Sequence, residues 1–190
     1  TYVGELGWEL HLPVENAQTV YSALIEAGTP FGLRNAGYRA IETLRLEKGY
    51  RAWSSDIGPD HTPDEAGLGW AVKMKSNISF KGRDAVARQR EEGIKKIMAT
   101  FTTDSDIILS GRETIYRNGN RCGWLSSAGF GHTIGKFIGM GYVRGDDYID
   151  TEFVLSGDYE LEVATERVKA NVFLKPLYCL LYTSPSPRDY

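Results

Sequence analysis

The chain has 190 residues, 42% of them hydrophobic and 25% charged, which is globular composition and excludes a wholly disordered chain. Its formal net charge of −3 offers no electrostatic footprint for nucleic acid, and no run of 18 apolar residues is present to span a membrane as a helix. Two cysteines, Cys122 and Cys179, exclude a disulfide scaffold, and His11, His61 and His132 never fall at a metal-ligand spacing.

Residues 1–10 carry neither an initiator Met nor a signal peptide, and they open inside a Gly-punctuated turn, so upstream sequence is expected. Residues 8–12 alternate, with Trp8, Leu10 and Leu12 on one face and Glu9 and His11 on the other, which predicts a half-buried strand ended by Pro13. From Glu15 the period becomes helical. Ala17, Val20, Tyr21, Leu24 and Ala27 form one stripe, and Gly28 is the expected stop. Asn35 is the expected N-cap of a second helix running to about Lys48, with Tyr38, Ile41, Leu44 and Arg45 along one side. Residues 54–69 read as an ordered loop between flanking tryptophans, 70–74 as a short strand, and 82–92 as a polar helix stopped by Gly93.

After Gly93 the period changes to two. Strands are expected at 94–102, 114–117, 121–126, 137–143, 151–155, 159–164 and 167–174, with Asn118-Gly119 a hairpin turn and residues 156–158 another. The fold class is α+β: a partial α+β domain followed by a small antiparallel β-barrel or sandwich, divided near residue 92. Two helices and a few strands cannot cover their own apolar stripes, which again points to further N-terminal sequence.

Few residues suggest chemistry. Glu5 and Glu9 bracket a Gly-rich turn, where a carboxylate can accept paired N–H donors from a heterocycle; two solvated carboxylates is the plainer alternative. Arg39 could clamp an anion or simply pair with Glu42 at i, i+3. Arg45, Lys48 and Arg51 are accounted for by the C-terminal helix dipole. Tyr2 and Trp8 could wall a flat ring, though Trp8 is equally a core anchor. There is no dinucleotide fingerprint, P-loop or nucleophile elbow, so the chain reads as a ligand-binding module rather than a complete enzyme.

The last twelve residues, 179–190, break with everything before them. The string CLLYTSPSPRDY resembles a translated transposon-type sequencing adapter and is expected to be a non-native tail; a native Pro-rich tail is the other reading. Cys122 would then be the one native cysteine, a buried thiol suited to a reducing compartment.

Several stretches recur together: Tyr2-Val3-Gly4-Glu5-Leu6-Gly7-Trp8-Glu9, then Gly37-Tyr38-Arg39-Ala40-Ile41-Glu42-Thr43-Leu44-Arg45-Leu46-Glu47-Lys48-Gly49-Tyr50-Arg51-Ala52-Trp53, then Thr62-Pro63-Asp64-Glu65-Ala66-Gly67-Leu68. With Phe80-Lys81-Gly82-Arg83-Asp84-Ala85, Tyr116-Arg117-Asn118-Gly119 and Phe173-Leu174-Lys175-Pro176-Leu177-Tyr178, they resemble the C-terminal half of the aminomethyltransferase (glycine-cleavage T-protein) superfamily. The Glu5-Leu6-Gly7-Trp8-Glu9 and Glu47-Lys48-Gly49-Tyr50-Arg51-Ala52-Trp53 forms are similar to those of the sarcosine and dimethylglycine dehydrogenases.

That resemblance implies the folate-binding region (residues 1–92) and C-terminal barrel (93–178) of a larger flavoenzyme. An FAD domain, expected upstream, would oxidise an N-methyl amine, and this region would bind tetrahydrofolate and collect the one-carbon unit. By the same resemblance Glu9, Arg39, Tyr178 and Glu5 fall at cofactor-binding positions, no metal is involved, and the catalytic aspartate lies upstream, so this chain alone is expected to be inactive. A regulatory paralogue, like the regulatory subunit of pyruvate dehydrogenase phosphatase, and a stand-alone aminomethyltransferase are the alternatives. The compartment implied is the mitochondrial matrix in a eukaryote or the cytoplasm in a bacterium.

Overall fold

The structure is a computed structural model and describes residues 2–178; the expectations for residues 179–190 lie outside the described residues. Among the described residues, six strands close an antiparallel barrel, and four α-helices lie outside or beside it. The strands are β1 (Ile94–Thr102), β2 (Thr114–Arg117), β3 (Asn120–Gly131), β4 (Lys136–Ile149), β5 (Tyr159–Val163) and β6 (Glu166–Phe173). Their order around the barrel is β1-β4-β3-β2-β5-β6, and pairing of β1 with β6 closes the ring.

The alternation in β1 assigns its two faces. Ile97, Ala99 and Phe101 point into the barrel with Ile115, Leu125, Val143 and Leu161, and Met98 points outward. That outer face is also buried, because Leu46 from helix α2 (Tyr38–Glu47) packs there with Met98, Ile138, Met140 and Tyr142. A strand covered on both sides becomes an unbroken buried run, which is the pattern of β1 from Ile97 onward. Asn118 and Gly119 both adopt positive φ, 50° and 80°, giving the expected tight turn between β2 and β3.

Four expectations are corrected. Residues 151–155 form helix α4 (Thr151–Leu155), not a strand, because the Asp150 carboxylate accepts the Phe153 N–H at 2.8 Å and caps a helical turn. Residues 8–12 belong to no strand, and all of them are exposed, Trp8 at 78%, so no core face exists there among the described residues. The strand expected at 70–74 is instead a 3₁₀ turn, Gly69–Ala71. Helix α2 starts after Gly37 rather than at Asn35, whose side-chain amide donates to the Tyr21 hydroxyl at 2.7 Å.

Helix α1 (Ala17–Gly28) forms as expected, but Gly28 is right-handed and does not stop the turn; the chain continues into a 3₁₀ helix, Thr29–Phe31, and the left-handed glycine is Gly32. None of the residues of α1 is buried. Helix α3 (Arg83–Glu92) ends against Gly93 as the sequence predicts. Cys122 is half-buried on β3 rather than fully buried; burial pushes its thiol up to about 11, which leaves it a neutral packing group.

Candidate functional site

The end of helix α2 carries three buried charged residues, Arg45, Glu47 and Lys48. Arg45 is 1% exposed. Its guanidinium donates to Asp56 at 2.6 Å, to Glu42 at 2.7 Å, to the Ser127 hydroxyl at 2.8 Å and to the Tyr50 carbonyl at 3.1 Å. Asp56, fully buried, also accepts the Ala52 N–H at 2.9 Å and the Ser126 hydroxyl. This corrects two readings. Arg45 is not a solvated dipole partner, and Glu42 pairs with Arg45 rather than Arg39. Burial pulls the Arg45 pKa down, but Asp56 and Glu42 outweigh it and the net shift is upward.

One turn further along, the helix end becomes a junction. The buried Glu47 carboxylate accepts the N–H groups of Thr133 and Ile134, at 2.6 and 3.2 Å, and so holds the β3–β4 turn. The Glu47 carbonyl accepts the Tyr178 N–H at 3.0 Å. Pro176 lies against Gly49. The Lys48 ammonium sits 4.7 Å from the centre of the Tyr178 ring. On the other side the N-terminal turn rests on the Lys48 stem: a Cβ at Gly4 would fall 2.3 Å from the Lys48 Cγ. Gly4 also has φ +68°, so two independent constraints require glycine there. Tyr2 stacks on Tyr50 at 6.3 Å beside this junction.

Of the four residues singled out in the sequence, two border this junction. Glu5, half-buried, follows Gly4 on the turn, and Tyr178 lies over Lys48. Glu9 and Arg39 are exposed, and the Glu9 carboxylate lies 3.9 Å from the His11 ring, itself exposed. Sequence reasoning missed Asp56, Glu47 and the burial of Arg45 and Lys48. The one available signal was the density of Arg45, Glu47 and Lys48 at the end of one helix, and Asp56 on the following loop carried none.

A small cavity of about 80 Å3 lies between the 53–72 loop and the barrel, lined by Ser55, His61, Trp124, Ser126, Tyr142 and Arg144. The His61 ring stacks on Tyr142 at 4.6 Å. Burial, reinforced by Lys96, holds the His61 pKa below its ordinary value. The unfolded chain therefore takes up this proton more readily than the folded one. The stability from neutral His61 is complete above about pH 6.5 and is lost as pH falls toward the lower folded pKa. His61→Gln is expected to flatten that part of the stability profile, measured as urea midpoints from about pH 7.5 to about pH 5. An unchanged slope would assign the acid sensitivity to other groups.

Comparison with known proteins places this architecture. The model of the GCVT N-terminal domain matches residues 1–76, and that of the glycine cleavage T-protein C-terminal barrel domain matches residues 96–178. The chain belongs to the glycine cleavage T-protein family. Within that family it is 42% identical over 177 residues to mouse mitochondrial sarcosine dehydrogenase, a match that covers 92% of this chain and 19% of that enzyme. It is 35% identical over 189 residues to the mouse mitochondrial pyruvate dehydrogenase phosphatase regulatory subunit, covering 93% of this chain and 22% of that protein. The solved aminomethyltransferase T of the glycine cleavage system from Bartonella henselae superposes with a TM-score of 0.76 at 25% identity, covering 88% of this chain and 45% of that structure. The family's barrel is the β1–β6 ring, and at Lys48 the first matched segment meets the end of the second, at Tyr178.

Proposed function

We propose that this T-protein-family chain is the tetrahydrofolate-binding region of a larger FAD-dependent N-methyl amine dehydrogenase of the sarcosine or dimethylglycine type. Residues 1–92 would form part of the folate domain and 93–178 the barrel beside it. The observation that carries the reading is the similarity to sarcosine dehydrogenase across nearly the whole chain. The chemistry of the junction fits the ligand. A reduced pterin is a flat ring with N–H donors on one edge, which suits a half-buried carboxylate such as Glu5 beside aromatic rings. Folate also carries a glutamate tail, an anion for an exposed arginine such as Arg39. When bound, tetrahydrofolate supplies the nucleophilic nitrogens that accept the one-carbon unit. The residues of this chain orient it.

Charge reversal tests the site. Glu9→Lys and Arg39→Glu are each expected to weaken tetrahydrofolate binding to the full-length protein by about tenfold or more, read by fluorescence titration. Unchanged affinity in both variants would remove these residues from the site. The similarity to the phosphatase regulatory subunit supports a second reading, a regulatory paralogue. Flavin reduction by sarcosine or dimethylglycine in the full-length protein separates the two, since only the dehydrogenase reading requires it. The 190-residue chain by itself is expected to show none. A matrix location in a eukaryote, or a cytoplasmic one in a bacterium, accompanies the dehydrogenase reading.

A further inference from the structure

Lys48 touches both halves of the candidate site, the Gly4 turn and the Tyr178 ring. It caps α2 at 8% exposure, although a lysine is ordinarily among the most exposed of side chains. Its stem runs along the N-terminal turn: a Cβ at Gly4 would lie 2.3, 2.6 and 2.7 Å from Lys48 Cγ, Cε and Cδ. Its ammonium ends over the Tyr178 ring. The turn that bears Glu5 and the segment that bears Tyr178 come from opposite ends of the described chain, and the same side chain lies between them.

Burying an ammonium is costly unless its surroundings compensate, and an aromatic face supplies part of that compensation. Backbone anchors make the arrangement specific. Tyr178 is tied to the Glu47 carbonyl, and Glu47 is tied through its carboxylate to the β3–β4 turn. The barrel therefore fixes the position of Tyr178, and Lys48 transmits that position to the Gly4–Glu5 turn.

We propose that Lys48 is a positioning residue of the folate site, holding Glu5 and Tyr178 in one mutual arrangement through its stem and its ammonium. The inference rests on the folate reading above and adds a residue that makes one unit of two separate ligand-facing groups. Lys48→Met keeps the stem and removes the cation, whereas Lys48→Arg keeps a cation over the ring.

The test uses the full-length protein, with tetrahydrofolate as the titrant and fluorotyrosine incorporated for fluorine NMR of residue 178. Lys48→Met is expected to weaken folate binding by about tenfold and Lys48→Arg by about threefold or less. In a Tyr178→Leu background, Lys48→Met is expected to add little further loss, because the two act as one unit. The fluorine signal of residue 178 is expected to move in Lys48→Met without folate present. Gly4→Ala, which displaces the stem, is expected to move the same signal and provides the test should Lys48→Met fail to fold. Folate binding by the unsubstituted protein with unchanged affinity and an unchanged signal in Lys48→Met overturns the proposal alone. Equal losses in Lys48→Met and Lys48→Arg, or losses from Lys48→Met and Tyr178→Leu that add in full, overturn it as well. No folate binding by the unsubstituted protein overturns the folate reading and this inference with it.

Discussion

Arg45→Met is expected to cost about 3–5 kcal/mol of folding free energy, measured by urea denaturation of the purified chain. The substitution keeps most of the apolar stem but leaves Asp56, fully buried, without its cation. Asp56 retains only the Ala52 N–H and the Ser126 hydroxyl, and a carboxylate so enclosed must either stay charged without a counter-ion or take up a proton. Ser127 and the Tyr50 carbonyl lose a donor in the same step. The control is Arg45→Met combined with Asp56→Asn. This pair removes both charges while keeping an acceptor for Ala52, and it is expected to recover a substantial part of the loss, because replacing a buried pair is far cheaper than breaking one. If the double variant is as unstable as Arg45→Met, packing rather than charge sets the cost. The effect should also be nearly independent of salt, unlike that of the exposed Lys136–Asp104 pair.

The same residues show how far the sequence could be read. β1 and β2 were legible to the residue because a period-two pattern bounded by glycine and turn residues leaves little choice. The α4 segment Thr-Glu-Phe-Val-Leu has strand-forming residues, and one side-chain cap at Asp150 decided against them. Residues 8–12 alternate correctly for a strand, yet alternation specifies only a face, and pairing requires a neighbour. The site was less legible still. Arg45 and Asp56 are eleven positions apart on a helix and a loop, and neither spacing nor composition shows that both are buried. Glu5 and Tyr178 were drawn together by resemblance to a family; their common neighbour, Lys48, emerges only from the packing of three segments.

Gly123→Val is expected to cost about 3 kcal/mol, again by urea denaturation, because β3 and β4 approach one another backbone to backbone at that point. A Cβ on Gly123 would lie 2.0 Å from the Tyr142 carbonyl oxygen, and one on Gly141 would lie 2.4 Å from the Trp124 carbonyl oxygen. The obstruction is main chain in both cases, so no rotamer change relieves it. The strands cannot simply part either. β4 is also paired with β1 along Lys96–Thr102 and β3 with β2, so a displacement at Gly123 propagates around a closed ring. Gly58→Ala is the matched control: nothing lies within 4 Å of its Cβ position, and its expected change is within about 0.5 kcal/mol. The two glycines differ in surroundings rather than in chemistry, so equal effects would refute the close-approach account. Tyr142 supplies a second readout. Its ring stacks on His61, so a shift of its carbonyl should alter the burial of that imidazole and with it the acid limb of the stability profile. A barrel strand strained at Gly123 would thus be detected at the loop that closes over Tyr142.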